Sequence, residues 1–337
     1  MNIQWFNIPN ENFKLYGVLC DFTRLPREFA GNISKGVYDN SACPAGGRVR
    51  FATNSENIYI KADMKKTRGV GFDLYRLENG HELCIAGIRK PECFICDGVF
   101  EAQTSTESKD GCIYTYTLNF PYLGEINSLC IGIDAISRLE QPQEYVNLKP
   151  IVFYGSSITH GAWASRPGTT YESMISQKYN INYTNLGFAG SALGEEILIR
   201  YISEMKMAAF VCDYDHNAPD VRHLKNTHRK IYDIIREKNK DIPFIIVTKP
   251  DYYKDVEVNE ERRNVIYQTY EFALSQGDKN VFFIDGKSLF CGEYYRNCTK
   301  DGCHPNDIGF YRMAKKIGSV IAKAFGISDE KQHDVHL

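Results

Sequence analysis

The sequence predicts an α/β protein in which an antiparallel β-sandwich precedes a parallel sheet covered by helices. Apolar residues alternate with polar ones up to about residue 147, and turn dipeptides such as Asn79-Gly80 separate these runs. From residue 148 onward, short apolar runs alternate with helix-length segments. We therefore expect a sandwich domain over residues 1–147, an α/β domain over residues 148–328 and a polar, disordered tail over residues 329–337.

The first part shows the period of strands with one buried face. The runs at 58–62, 114–118 and 129–133 place an apolar residue at every second position. No long amphipathic helix is indicated before residue 148. We expect antiparallel strands joined by turns, such as the turn at Asp110-Gly111.

The second part shows the pattern of a parallel sheet with helices on both faces. The predicted strands are Ile151–Tyr154, Tyr183–Leu186, Ala208–Cys212, Phe244–Thr248 and Val281–Ile284. The predicted helices are Tyr171–Tyr179, Glu195–Met205, Asp220–Lys238, Glu260–Ser275 and Pro305–Phe325. Ligands of such sheets bind beyond the carboxyl ends of the strands, where the strand order reverses.

The composition excludes several classes of partner. Of 337 residues, 43% are hydrophobic and 24% are charged, as in soluble globular proteins, and the net charge of −2 lacks the basic excess that nucleic acids or anionic membranes require. No apolar run approaches the roughly 20 residues that span a bilayer. Residues Met1–Pro9 have neither a basic start nor a long apolar stretch, which disfavours a signal peptide.

Eleven cysteines are scattered along the chain without the even number and regular spacing of a secreted disulfide framework. We therefore expect reduced thiols and a cytoplasmic protein, with secretion as the alternative for a chain whose leader has been removed. The pair in Cys93-Phe94-Ile95-Cys96 has zinc or redox spacing but no second Cys or His pair nearby. A structural role is expected for it, and no metal or cofactor site is predicted.

A serine on a tight turn follows the first strand of the second part, in Gly155-Ser156-Ser157-Ile158-Thr159-His160-Gly161. The hydroxyl of Ser157 becomes a nucleophile only when a neighbouring base takes its proton. His304 is the candidate base, and Asp301 can hold its second ring nitrogen. Pro305 is expected to begin the last helix. The alternative interpretation is an ordinary turn serine and an ordinary approach to a helix.

A tetrahedral intermediate also needs donors for its oxyanion. Gly190 follows the second predicted strand and Asn217 follows the third, so both fall at the carboxyl edge of the sheet. A plain turn glycine and a helix cap are the alternative roles. The placement of both residues in one crevice with Ser157, Asp301 and His304 favours the catalytic interpretation.

Taken in chain order, these motifs resemble those of the GDSL/SGNH hydrolase superfamily. The matching patterns are Gly-x-Ser, Asn-x-x-x-x-Gly, an Asn after the third strand and Asp-x-x-His-Pro. The resemblance implies a flavodoxin-like three-layer fold over about residues 150–325. The site residues that it implies are Ser157, Asp301 and His304 as the triad, and the Ser157 N–H, Gly190 and Asn217 as oxyanion donors.

A second resemblance lies in the first part of the chain. Gly71-Phe72-Asp73-Leu74-Tyr75 is similar to the Gly-x-Asp-Leu-Tyr motif of a jelly-roll-like sandwich that precedes one subgroup of these hydrolases. Ala164–Gly168 is also similar to that subgroup. The chain departs from the superfamily at Ser156, where Asp is usual, and around Asn217, where Asp-His-Asn-Ala replaces Gly-x-Asn-Asp.

Further candidates lie near these motifs. His160, Trp163 and Arg166 follow the nucleophile, and we expect them at the mouth of the site, with Arg166 on the interdomain surface rather than on a substrate anion. His216 is a fourth candidate for substrate binding. Asp215 and His216 are also alternatives for acid–base chemistry, although His304 already fits that role.

The residues themselves predict acyl transfer at a serine. The resemblance extends this to a serine esterase that removes short acyl groups, acetyl above all, from a carbohydrate or similar hydroxylated substrate. An acyltransferase with the same triad is an alternative, and a carbohydrate-binding protein with a degenerate hydrolase domain is another. The expected partner is a small-molecule or saccharide ester, with no nucleic acid and no membrane. The oligomeric state stays open.

Overall fold

The computed structural model describes residues 2–67, 71–88, 96–250 and 253–328. The predicted tail at 329–337 and most of the Cys93–Cys96 segment therefore lie outside the described residues. The nine cysteines whose surroundings are described are free thiols. Within the same ranges, every helix is too short or too polar to cross a membrane.

The N-terminal part forms two antiparallel sheets, as the period-two runs predict. Its elements are β1 (Ile3–Ile8), β2 (Lys14–Tyr16), α1 (Lys35–Ser41), β3 (Arg48–Thr53), β4 (Asn57–Thr67), β5 (Phe72–Glu78), β6 (His81–Ile88), β7 (Cys96–Ser105), β8 (Tyr114–Asn119), β9 (Glu125–Asp134) and β10 (Leu139–Glu140). One sheet has the strand order β1-β9-β4-β7. The other has the order β10-β3-β8-β5-β6, with β2 paired to β3.

These two sheets enclose one apolar core. Ile58 and Ile60, on alternate positions of β4, are buried in the same cluster as Phe51 and Leu118 of the other sheet. The turn at Asn79-Gly80 joins β5 to β6, and both of its residues have positive φ, as this dipeptide predicts. The alternation seen in the sequence therefore corresponds to inward and outward faces of a sandwich.

The C-terminal part contains a parallel sheet. Its elements are β11 (Ile151–Gly155), α2 (Ser157–His160), α3 (Tyr171–Tyr179), β12 (Tyr183–Gly187), α4 (Glu196–Glu204), β13 (Ala209–Asp213), α5 (Val221–Lys238), β14 (Phe244–Val247), α6 (Val256–Ser275), β15 (Val281–Ile284) and α7 (Asp307–Ala324). The strand order is β12-β11-β13-β14-β15, with parallel pairing throughout. This is the flavodoxin-like order, and it confirms the predicted fold class.

Helices cover both faces of the parallel sheet and make three layers. Val152 and Tyr154 point into a core with α4, α5 and α6, whereas Ile151 and Phe153 point into a core with α3 and α7. The strand order reverses at β11, which lies between β12 and β13. The crevice beyond the carboxyl ends of β11 and β13 is therefore the expected ligand site.

Some element boundaries differ from the prediction. The short helix α1 was not predicted, and α6 begins at Val256 rather than Glu260. Pro305 does not begin the last helix, because it pairs with Thr299 in an isolated bridge. Asn306 caps α7 instead, and its Oδ1 accepts hydrogen bonds from two backbone N–H groups of the first turn.

Candidate active site

The turn that contains Ser157 joins β11 to α2. Ser157 is the first residue of α2, so its side chain lies at the carboxyl end of β11. Position 155 requires glycine, because a Cβ there would collide with the Thr159 hydroxyl and the Asp213 carbonyl. Ser156 caps the helix, and its Oγ accepts a hydrogen bond from the Ile158 N–H at 3.1 Å. The departure from Asp at this position therefore preserves a capped turn.

Ser157, His304 and Asp301 form one hydrogen-bonded chain. Ser157 Oγ lies 2.9 Å from His304 Nε2, and His304 Nδ1 lies 2.7 Å from Asp301 Oδ2. These distances are those of a nucleophile next to its base and of a base held by a carboxylate. The parallel sheet thus joins two motifs that are 147 residues apart in sequence.

The carboxylate of Asp301 is fixed by its own loop. Its Oδ1 accepts hydrogen bonds from the backbone N–H of Cys303 at 2.9 Å and of His304 at 2.8 Å. Partial burial acts to raise the pKa of Asp301, but the hydrogen bonds from the His304 ring and these N–H groups hold the pKa at about 2. Asp301 is therefore ionised at neutral pH and can stabilise an imidazolium at His304.

The three predicted oxyanion donors differ in their surroundings. Asn217 ends a 3₁₀ turn after β13, and its Nδ2 is buried without a hydrogen-bond partner among the described residues. Leaving a buried donor unpaired costs about 1–3 kcal/mol of stability. Such a donor is expected where a bound ligand supplies the acceptor. Gly190 has φ of 78° and borders open space, since a Cβ there would meet nothing within 4 Å. The Ser157 N–H, at the first helical position, has no acceptor within the helix.

A buried carboxyl group at the end of β13 supports helix α2, which begins at Ser157. Asp213 Oδ2 accepts hydrogen bonds from Tyr171 Oη at 3.0 Å and from Thr159 Oγ1 at 3.2 Å. Burial raises the pKa of Asp213 to about 7 despite these hydrogen bonds. Asp213 therefore links α2 and α3 to β13. The sequence analysis did not identify it, because an Asp ending a strand is also a common turn residue.

The prediction that His160 lines the mouth of the site is wrong. Its side chain is buried, with Nε2 2.7 Å from the Tyr122 carbonyl oxygen and Nδ1 3.0 Å from that of Gly187. Burial, assisted by the nearby Arg24 guanidinium, lowers the pKa of His160 to about 3, so the ring is neutral. It joins α2 to the sandwich part and to β12.

The other candidates near the third strand have different positions. Asp215 is buried in an ion pair with Arg262 at 2.9 Å and accepts a hydrogen bond from the Lys249 N–H, so its alternative acid–base role is wrong. His216 borders the site, because its Nδ1 lies 3.7 Å from the sulfur of Cys303, the residue before His304.

The loop after α2 has one exposed aromatic residue and one contact with the sandwich part. Trp163 is 53% exposed and has φ of 71°, so it stays a candidate for substrate contact. Arg166 Nη1 donates to Cys84 Sγ of β6 at 2.8 Å. This contact places Arg166 on the surface between the two parts, as expected.

The Gly-x-Asp-Leu-Tyr motif contacts the same loop. Asp73 Oδ2 accepts a hydrogen bond from the Gly168 N–H at 2.8 Å, and a Cβ at position 168 would collide with the Tyr75 hydroxyl. Phe72 and Leu74 alternate with these residues and are buried in the sandwich core. The motif therefore holds the loop that follows the nucleophile.

Two further residues that hold this loop were missed. Asp307, in the first turn of α7, accepts hydrogen bonds from the Ser165 N–H at 2.8 Å and from Thr169 Oγ1 at 2.9 Å. Tyr122 Oη donates to the Ala164 carbonyl at 2.7 Å. An acidic residue in a first helical turn is also explained by the helix dipole, so the sequence provided no separate signal for Asp307.

Comparison with protein families agrees with this geometry. Residues 148–322 match the model of the GDSL-like lipase/acylhydrolase family. The chain belongs to this family. Residues 3–139 match the GxDLY model, the N-terminus of Esterase_SGNH_hydro-type proteins. As a GDSL family member, the chain is a serine hydrolase that acts on ester bonds. No group of three or more His, Cys, Asp or Glu side chains suited to a metal ion occurs among its described residues.

Solved structures show the same two-part fold. A GDSL-like lipase from Bacteroides ovatus is 24% identical, with a TM-score of 0.84, over 97% of this chain and 99% of that chain. The salicylyl-acyltransferase SsfX3 of a tetracycline biosynthetic pathway is 18% identical, with a TM-score of 0.73, over 96% and 98%. An acetyl xylan esterase from Butyrivibrio proteoclasticus is 14% identical, with a TM-score of 0.57, over 96% and 100%. No curated protein matches this chain in sequence.

Proposed function

We propose that this GDSL family member removes short acyl groups, acetyl above all, from a saccharide or similar hydroxylated substrate through an acyl-enzyme on Ser157. The observation on which the proposal rests is the continuous hydrogen-bonded chain from Ser157 Oγ through His304 to Asp301. In the turn after β13, the buried amide of Asn217 has no hydrogen-bond partner among the described residues. The same chain argues against a degenerate, non-catalytic hydrolase domain, because a site without chemistry has no need of it.

In the first half of the proposed reaction, Ser157 Oγ attacks the ester carbonyl carbon while its proton passes to His304 Nε2. The tetrahedral oxyanion accepts hydrogen bonds from the Ser157 N–H, the Gly190 N–H and Asn217 Nδ2. Asp301 stabilises the imidazolium. The bond to the alcohol oxygen then breaks, and His304 donates its proton to the leaving alcohol.

In the second half, water attacks the carbonyl carbon of the acyl-enzyme. His304 accepts a proton from this water, and the oxyanion forms at the same three donors. Breaking the bond to Ser157 Oγ releases the carboxylic acid and returns the proton to the serine. The two half-reactions consume only the ester and water.

Two observations support a saccharide acetyl ester as the substrate. The acetyl xylan esterase shares the fold over almost the whole chain. Trp163 is exposed on the loop that leaves the nucleophile helix, where an indole face can stack on a sugar ring. Both observations are consistent with an ester of a small acyl group and a large, hydroxylated alcohol.

Replacing Ser157 tests the proposal directly. Ser157→Ala should abolish labelling by a fluorophosphonate and cleavage of p-nitrophenyl acetate, because no other group then attacks the ester. The matched control is Ser156→Ala, which loses a helix cap at a cost of about 1 kcal/mol but keeps the nucleophile, so labelling should persist. An active Ser157→Ala variant would contradict the proposed role.

The acyl and alcohol specificity needs its own measurement. For p-nitrophenyl esters of increasing length, kcat/KM should fall from acetate to octanoate, and acetylated xylan should release acetate. A preference for octanoate would exclude the acetyl proposal while leaving the nucleophile in place.

Acyl transfer to an alcohol is a second candidate, which the similarity to SsfX3 supports. Water and alcohols attack the same acyl-enzyme, so product partition separates the two activities. With p-nitrophenyl acetate and added xylose or glycerol, a hydrolase should release mainly acetate. Predominant transfer to the acceptor would assign the chain as an acyltransferase.

A further inference from the structure

The outer face of the sheet β1-β9-β4-β7 contains a shallow groove that ester cleavage does not use. The groove has a volume of about 570 Å³ and is lined chiefly by Trp5, Tyr59, Lys61, Glu101 and Gln103. These residues come from β1, β4 and β7, and none of them belongs to the proposed catalytic site.

Trp5 lines this groove, and the residue that pairs with it on β9 is a glycine. Gly132 pairs with Trp5 on one side and with Tyr59 on the other. A Cβ at position 132 would come within 3.1 Å of Trp5 Cε3 and of Tyr59 Cβ, so the glycine leaves room for the indole above the sheet. Trp5 is 45% exposed, and its ring centre lies 6.3 Å from that of Tyr59.

Polar side chains stand beside the two rings. Gln103 pairs with Tyr59 across the strands, and its Nε2 donates to Asn57 Oδ1 at 3.2 Å. The next row of the same face contains Lys61 and Glu101, which form an exposed ion pair at 2.8 Å. An amide, an ammonium and a carboxylate therefore present both donors and acceptors next to an exposed indole.

We propose that this groove, hereafter the Trp5 groove, binds a neutral saccharide chain. The negative face of an aromatic ring attracts the polarised C–H groups of a pyranose, and Trp5 supplies that face. Adjacent hydroxyls of the sugar exchange hydrogen bonds with Gln103 and with the Lys61–Glu101 pair. Small-molecule sites usually combine an apolar centre with a few polar groups.

The charge and the apolar area of this face fit a saccharide better than a macromolecular partner. Lys61 and Glu101 cancel, so the described lining of the groove has no basic excess of the kind that binds nucleic acid. Among the described residues of the face, the exposed large hydrophobic side chains are Trp5 and Val99, and the ion-pair row separates them. A stable interface between two copies needs about 800 Å² per partner around an apolar centre, and two separated apolar side chains do not form such a centre.

The chain has only two tryptophans, Trp5 and Trp163, which allows a selective test. In Ser157→Ala/Trp163→Phe, Trp5 is the only indole and no ester is turned over. Titration with cellohexaose, xylohexaose or mannohexaose should change its emission saturably, with a Kd on the order of 0.1–1 mM. Adding Gln103→Ala should weaken this binding by about 2- to 10-fold, as for the loss of one hydrogen bond.

The matched variant Ser157→Ala/Trp5→Phe leaves Trp163, on the loop after α2, as the reporter, and it measures binding at the proposed catalytic site instead. Trp5→Phe alone should cleave p-nitrophenyl acetate at the wild-type rate, so loss of esterase activity and loss of groove binding are distinguishable. Unchanged Trp5 emission with all three hexasaccharides up to about 10 mM would overturn the proposal. So would self-association, measured by light scattering, that Trp5→Ala abolishes, because it would assign the Trp5 groove to a second copy.

Discussion

At the scale of single residues, Asn217 is the site residue whose environment is most informative. Its Nδ2 is buried in the turn after β13 and has no hydrogen-bond partner in the part of the chain that the structure describes, although a simple helix-capping role would leave this amide hydrogen-bonded or exposed to water. The sequence pattern around it departs from Gly-x-Asn-Asp. The geometry of the residue therefore supports its assignment more strongly than the motif does.

Asn217→Ala should lower kcat for p-nitrophenyl acetate by about 10²- to 10³-fold with little change in KM, because an oxyanion donor acts mainly in the transition state. Asn217→Asp keeps the size of the side chain but replaces the donor with an acceptor, and it should be at least as damaging. Steady-state kinetics on both variants, with circular dichroism as a check on folding, would refute the role if Asn217→Asp retained the wild-type kcat.

At the scale of elements, the loop between α2 and α3 is held from both parts of the chain. Asp73 and Tyr75 contact Gly168 from β5, whereas Asp307 contacts Ser165 and Thr169 from α7. The Gly-x-Asp-Leu-Tyr motif is therefore more than a sandwich signature. Two of its residues fill the sandwich core, and the residues that alternate with them hold the loop between α2 and α3.

Gly168→Ala should lower the free energy of unfolding by about 1–3 kcal/mol, because the added methyl group overlaps Tyr75. Asp73→Asn should also destabilise, because Asp73 accepts from the Gly168 N–H at Oδ2 and from Asn119 Nδ2 at Oδ1, and the NH₂ group of an asparagine would face one of these two donors. Both changes act on one contact, so urea unfolding of the double variant should be clearly non-additive. Additive effects would contradict this coupling.

At the scale of the whole molecule, buried arginines join the sandwich part to the parallel sheet. Arg24 donates to the carbonyl oxygens of Asn185 at 3.1 Å and Gly187 at 2.7 Å, both in β12. Arg48 of β3 donates to the Tyr183 carbonyl oxygen at 3.1 Å, and its guanidinium lies 4.1 Å from the centre of the Tyr183 ring. The strand that precedes Gly190 is thus positioned by the other half of the chain.

Buried carboxyl groups should make global stability depend on pH. Burial raises the pKa of Asp213 from 3.8 to about 7, so the folded state binds this proton more tightly than the unfolded chain does. Its contribution is full below about pH 4 and is lost as the pH rises through about 7. In Asp213→Asn, the fall in unfolding free energy from pH 4 to pH 7 should be smaller by a few kcal/mol. Urea unfolding across this range checks it, and identical pH profiles would contradict it.

Local patterns in the sequence were sufficient for the fold class and for the nucleophile, base and carboxylate candidates. The turn at Gly155–Gly161 and the Asp301–His304 spacing are short-range signals, and the alternation of strands and helices places both at one sheet edge. The same signals missed α1 and placed the start of α7 at Pro305, because helix ends depend on capping contacts that propensity does not reveal.

Local sequence patterns did not reveal which polar residues face the crevice. His160 and Asp215 stand close in sequence to the candidate site residues Ser157 and Asn217. His160 is nevertheless buried against Tyr122, and Asp215 pairs with Arg262, 47 residues away. Their partners are distant in the chain, and a side chain's burial is set by what packs against it rather than by its neighbours in sequence. Local motifs were therefore enough to identify Ser157 as the candidate nucleophile, whereas the packing of distant segments determines which residues surround it.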